Sequence, residues 1–329
     1  MNKSTVFNIL YALAALGGRE QTLFGSYASL AEEAFNRSLV GPEFPEIWFE
    51  LPLAGEPWLD LHVLTSRSAL TPETPIPTNG SLVYPDLFAW FAKQHGVRQL
   101  ALSYDISQGN VTQPAAQLLI YDDSPSLMCG FLQEASGASA AADYNSFVER
   151  IPKDWFACYA GVFPDRTPNL LRVECIPRLR LQQAYANDPE LLRTHLSQVG
   201  FTEFGDTLIE RCCYLCGLPF RFEMQFNVNP GGSAGSTLGA SVRFAFPPGE
   251  DGYRPYEVDG VAGELMQKVV SWGLADDRWR VLGETSFVKG LSRNGVKQIL
   301  FCHPTFLKLR WKEGSPLDAK AYLMAGIDQ

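Results

Sequence analysis

Residues 221–246 read RFEMQFNVNPGGSAGSTLGASVRFAF. The first half alternates: Arg221, Glu223, Gln225, Asn227 and Asn229 fall on one side, and Phe222, Met224, Phe226 and Val228 on the other. A period of two is that of a β-strand with one dry and one polar face. Pro230-Gly231-Gly232 makes a turn, and the chain returns with Leu238, Ala240, Val242, Phe244 and Phe246 on the apolar side and Ser241 and Arg243 on the other. The stretch is therefore a β-hairpin whose polar face carries arginines, a glutamate and amides. Whether that face meets solvent or lines a chamber decides the fold.

The pattern recurs along the chain. Strands are expected over residues 47–53 and 59–65, 99–107 and 115–122, 155–163 and 170–176, and 298–311 (broken near Pro304) and 317–324. Helices are expected before them, over 26–37, 85–95, 143–151, 188–199, 205–216 and 261–274, with loops over 71–79 and through the low-complexity run ASGASAAA at 135–142. A helix–strand–strand unit thus occurs five times without sequence identity between the units, an architectural repeat. Five hairpins supply about ten antiparallel strands, and a sheet of that size curls and loses its edges by closing. The fold class expected is α+β: a ten-stranded antiparallel barrel with helices outside, apolar strand faces against the helices and polar faces inward. The alternative is an α+β sandwich whose polar face is wet. The whole chain, 1–329, reads as one repeat-built domain, with N-terminal helices over 1–40 and barrel repeats over 41–329.

Composition narrows the function classes. The 329 residues are 46% hydrophobic and carry a formal charge of −9, which disfavours a nucleic-acid partner. No run of 18 apolar residues occurs, so no membrane-spanning helix is expected. Residues VFNILYALAAL follow Lys3, but Asn8 interrupts the run and the charged start is thin, so an amphipathic helix is expected there rather than a secretion signal. Seven cysteines, an odd number lying mostly in apolar runs, suit free thiols in a reducing, cytoplasmic setting. Cys213 and Cys216 form one CxxC with no second pair or nearby histidine, so no metal site is expected. His62, His95, His195 and His303 are scattered, and no Ser/His/Asp triad assembles from the sequence.

Three stretches resemble the aromatic prenyltransferases of the αββα-barrel type, especially the indole (dimethylallyltryptophan synthase-like) branch. WFELPL at 48–53 is similar to that family's first hairpin, whose glutamate is the general base; YAGVFPDRTPNLLRVECIP at 159–177 has the layout of its third; FLKLRWKEGSPLDAKAYL at 306–323 resembles the closing hairpin, which ends in a functional tyrosine. The resemblance implies transfer of a prenyl group from an allylic diphosphate to an aromatic acceptor, with Glu50 as base. The chain departs from the family where His62 replaces an arginine and where Arg172-x-Glu174 replaces Lys-x-Tyr.

The inward faces supply six basic candidates besides His62: Arg172, Arg221, Arg243, Lys308, Arg310 and Lys320. Charge-assisted bonds from such groups suit a diphosphate. Glu174, Glu223 and Gln225 share the polar face, and Asp60 and Asp105 are further inward acids. Tyr322, Tyr104 and Trp48 are the candidates for shielding an allyl cation with their ring faces. The expected partners are an allylic diphosphate and an indole, phenol or peptide side chain. No cofactor is required by these residues; magnesium is the one that a diphosphate admits. The competing expectation is a non-prenylating barrel that binds, or acts on, another small anionic or amphipathic ligand, and Glu174 beside Arg172 is the feature that favours it.

Overall fold

A computed structural model describes residues 18–27, 29–30, 33, 46–65, 84–109, 114–120, 124–164, 166, 170–244, 259–293 and 296–328. The expected first helix, the 71–79 loop, most of the expected 26–37 helix and the last two residues of the 221–246 stretch lie outside them. Eleven strands are described: β1 (Glu46–Pro52), β2 (Asp60–Thr65), β3 (Val97–Tyr104), β4 (Ala115–Ile120), β5 (Trp155–Phe163), β6 (Leu170–Pro177), β7 (Arg221–Val228), β8 (Ala234–Arg243), β9 (Phe287–Arg293), β10 (Val296–Lys312) and β11 (Asp318–Asp328). They hydrogen-bond in the order β11-β1-β2-β3-β4-β5-β6-β7-β8-β10-β9, and β10 also pairs with β11. Ten antiparallel strands therefore close into a ring, and β9 is an extra strand beside the first half of β10. The expected barrel is present.

Ring closure depends on β10, which changes partners along its length. Its first half pairs with β9 up to Cys302, and its second half pairs with β8 from Phe306 onward. Pro304, which cannot donate a backbone hydrogen bond, sits at the changeover beside a bulge between Pro304 and Phe306.

Nine helices are described: α1 (Glu20–Phe24), α2 (Pro85–Phe91), α3 (Pro125–Ser136), α4 (Ala138–Val148), α5 (Leu179–Asn187), α6 (Pro189–Gln198), α7 (Asp206–Cys216), α8 (Val261–Ser271) and α9 (Arg278–Glu284). Prolines at the first turn start α2, α3 and α6, where a missing N–H costs nothing. The ASGASAAA run, expected as a loop, is helical on both sides of Gly137 because alanine is the best helix former. Helices α3, α5 and α9 and strand β9 were not expected from the sequence.

The core is the layer between barrel and helices. Outward residues such as Phe49, Leu61, Leu118, Val173, Phe222, Met224 and Leu323 are essentially without exposure. Phe226 stacks on Trp155 (5.9 Å) and meets Phe147 (5.7 Å) and Phe201 (6.3 Å), so one strand position ties β5, β7, α4 and the segment after α6. Gln182 of α5 accepts from the Phe222 N–H and donates to the carbonyls of Cys216 and Phe220, fixing the entry into β7. The seven cysteines are free thiols, and Cys212, Cys213 and Cys216 form a buried face of α7. With apolar side chains committed outward, the polar faces of the strands turn inward.

Candidate functional site

The interior holds a chamber with about 650 Å³ of empty space, counting its open mouth. Of the residues expected at the site, Trp48, Glu50, His62, Arg172, Glu174, Gln225, Arg243, Lys308 and Tyr322 line it.

Glu50 of β1 is the best-held group. Its Oε1 accepts from Lys320 Nζ at 2.6 Å, and its Oε2 lies 3.2 Å from His62 Nε2. Burial pushes the carboxyl up, but the charge of Lys320 and the His62 hydrogen bond outweigh it, leaving the group well below the usual carboxylate range. Glu50 is therefore an ionised carboxylate in a nearly dry wall. On the far side of His62, Nδ1 meets Ser103 Oγ at 2.5 Å. The sequence suggested no such triad, yet a Ser–His–Glu string exists. Ser103 is buried and does not line the chamber, so the string orients the carboxylate rather than presenting a nucleophile.

An aromatic cluster adjoins Glu50. Phe306 lies 5.2 Å from Trp48 and 5.9 Å from Tyr322, and Tyr322 lies 5.8 Å from His62 (ring centroids). Burial, then the charge of Glu50, keeps the Tyr322 phenol protonated far above its ordinary range.

Cations occupy the neighbouring arc of the wall, from β6 through β8 to β10. Arg172 donates from Nε to Asn227 at 3.1 Å and lies 4.5 Å from the centroid of the Phe163 ring. Among the described residues no carboxylate lies within ion-pair distance of Arg172. Arg243 covers Phe306 at 4.6 Å. Lys308 donates to Gln225 and reaches Tyr322 at 3.4 Å. Burial moves the Lys308 ammonium down to about 8, against the pull of Glu50. Gly239 makes room for it, because a Cβ there would stand 2.5 Å from Lys308 Cε. Gly161 similarly clears space for the Tyr159 hydroxyl, which would be 2.8 Å from a Cβ.

Glu174, the acid that stands in place of the tyrosine of Lys-x-Tyr, accepts from Gln225 Nε2 at 3.3 Å. Burial and then the charge of Glu223 raise its carboxyl to about 8, so at neutral pH it is largely uncharged. Burial, with the charge of Glu50, likewise raises Asp60 to about 6, opposed by the Ser107 N–H at 2.9 Å. Around neutral pH, three lining cations (Arg172, Arg243 and Lys308) stand against the carboxylate of Glu50. The chamber wall is net positive in a protein whose overall charge is −9.

The remaining expected residues sit elsewhere. Lys320 is behind Glu50, and Arg221 is paired with Glu223 at 2.6 Å further along β7. Arg310 is exposed and bound to Asp318 at 2.5 Å, outside the chamber lining. Tyr104 belongs to the outer core: it pairs in register with Leu61, and its neighbour Ser103 pairs with His62, so its side chain faces the helices. Asp105, beyond the end of β3, is taken up by Arg166 at 2.7 Å. Lining residues not anticipated include Tyr159, Phe306 and Gln117, while Ser241 lines the chamber from the polar face on which alternation put it. Tyr159 follows a bulge, at Ala157/Tyr159, that reverses the facing of the strand.

No family model and no curated protein matches this sequence. Among the described residues, no cluster of three or more His, Cys, Asp or Glu side chains could hold a metal ion, and no helix is long and apolar enough to cross a membrane.

Proposed function

We propose that the protein transfers a prenyl group from an allylic diphosphate to an aromatic acceptor (an indole, a phenol or a peptide side chain) inside the barrel. The observation that carries this reading is the placement, around one chamber, of an ionised Glu50, an aromatic cluster and an arc of cations. Arg172, Arg243 and Lys308 hold the diphosphate, with guanidinium forks suited to its oxygens. As the allylic C–O bond breaks, its electron pair leaves on the diphosphate, where these cations meet the growing charge. The allyl cation is shielded by the faces of Trp48, Phe306 and Tyr322. The acceptor's π electrons form the new C–C bond, and the proton released from the acceptor passes to Glu50. The scheme requires no cofactor; magnesium, if bound, would serve as a counter-ion of the diphosphate. The free thiols fit a reducing compartment, which points to the cytoplasm.

Incubation with dimethylallyl, geranyl and farnesyl diphosphates and a panel of indoles, phenols and aromatic peptides should give an acceptor heavier by one prenyl unit for at least one pair. Saturable diphosphate binding without mass gain in any pair would instead favour a non-prenylating, anion-binding barrel.

A further inference from the structure

Two buried acids adjoin where β6 meets β7. Glu174 pairs in register with Gln225, and Glu223 lies two residues along β7 on the same inward face, so the two are diagonal neighbours. Glu223 is wholly buried. Its Oε1 accepts from Arg221 Nε at 2.7 Å and Nη2 at 2.6 Å. Its Oε2 is also buried and meets no donor among the described residues. Glu174 has an amide on Oε2 and the Cys158 thiol 3.8 Å from Oε1. Arg221 is thus taken up by Glu223, and among the described residues no cation lies within ion-pair distance of Glu174. Ionising both would set two buried negative charges side by side, the one on Glu174 without an ion pair, and leave Glu223 Oε2 unsatisfied. One proton on Glu174 removes the extra charge and supplies the donor that Glu223 Oε2 lacks, as in other carboxyl pairs that titrate together.

We propose that Glu174 and Glu223 share one proton at neutral pH, and that this proton is required for the chamber to bind a diphosphate-class anion. The inference rests on the reading of the chamber as a diphosphate site. Arg172 lies two residues from Glu174 on the same strand face, and Lys308 reaches it through Gln225. Loss of the shared proton puts a new negative charge beside both cations and beside the bound anion. The groups facing the pair are Cys158 and Tyr159 from β5, Arg172 from β6, Arg221 and Gln225 from β7, Ser241 and Arg243 from β8, and Lys308 from β10. Of these, Lys308 titrates in the same range and would also weaken anion binding as it loses its charge.

The test is calorimetric titration of the full chain with inorganic diphosphate from pH 6 to 9.5, comparing wild type, Glu174→Gln and Lys308→Arg. Glutamine copies the neutral acid and cannot lose the proton. Above pH 8 the wild-type Kd should rise by up to about tenfold per pH unit relative to Glu174→Gln, and Lys308→Arg, whose charge is permanent, should keep that excess slope. Parallel curves for wild type and Glu174→Gln would overturn the shared proton while leaving the anion site standing. No binding at any pH would overturn the diphosphate site, and this inference with it. A variant-free check is the infrared C=O band of a buried carboxylic acid, expected at pH 7 and bleached by pH 9.5; its absence at pH 7 would also overturn the proposal.

Discussion

Replacing Lys320 with methionine removes the cation 2.6 Å from Glu50 while keeping a chain of similar length against the Trp58 ring. Both members of the pair are nearly dry, at 8% and 12% side-chain exposure, so water does not replace the lost partner. Breaking a buried ion pair from one side costs about 3–5 kcal/mol. For a chain of this size, at roughly 2 °C per kcal/mol, the melting temperature at pH 8 should fall by about 6–10 °C. The pH dependence gives the effect its signature. In the wild type, Glu50 is held below its unfolded value. Its contribution is therefore present above the unfolded pKa and lost as pH falls through the folded one. In the variant, burial dominates and the carboxyl moves up, so the folded state gains a proton on acidification that the unfolded state takes up only at lower pH. The deficit should thus be large at pH 8 and shrink toward pH 4.5, as followed by scanning calorimetry. Glu50→Gln combined with Lys320→Met should recover most of the loss, because no unpaired charge is left. A melting temperature within about 1 °C of wild type at pH 8 would refute the reading of a dry, mutually dependent pair.

Two further outcomes bear on the chamber. Glu50→Gln should lower kcat for prenyl transfer by about 10²–10⁴-fold with little change in diphosphate affinity, measured by steady-state kinetics and calorimetry; unchanged kcat would remove Glu50 as the base. Gly239→Ala puts a Cβ 2.5 Å from Lys308 Cε, so it should displace the ammonium from Gln225 and weaken inorganic diphosphate binding about tenfold or more by calorimetry, a change an unmoved Lys308 would not produce.

Strand periodicity carried most of the fold. The alternation in β7 and β8 correctly placed Arg221, Glu223, Gln225 and Arg243 inward, and Phe222, Met224 and Phe226 against the helices. The same rule, applied strictly, puts Tyr104 on the side of Leu102, and assigning it to the chamber ran against its own strand. Phe306 shares the face of Lys308 and Arg310 by plain alternation and was passed over because it is apolar. A bulge was the physical limit. Trp155, Ala157 and Tyr159 share one face by simple alternation, but the extra residue at Cys158 turns Tyr159 inward. A one-residue slip of this kind leaves no mark in hydrophobic pattern. The charge states were equally illegible. Glu174 looked like an obstacle to an anion as a charged residue beside Arg172, and its neutrality arises from depth and from Glu223 on the adjacent strand, neither of which local sequence records. Helix α3 was missed although Pro125 marks its start, and α5 although it carries Gln182, the side chain that closes the β7 entry.

The central claim is that the chamber holds an allylic diphosphate with its leaving group on the β6–β10 cations and its reacting carbon beside Glu50 and the aromatic cluster. A crystal structure with the unreactive dimethylallyl S-thiolodiphosphate tests it directly. The account predicts phosphate oxygens within hydrogen-bond distance of Arg172 and Lys308 and the dimethylallyl group against Trp48, Phe306 or Tyr322. Ligand density outside the barrel, or an empty chamber at saturating analogue, would contradict it.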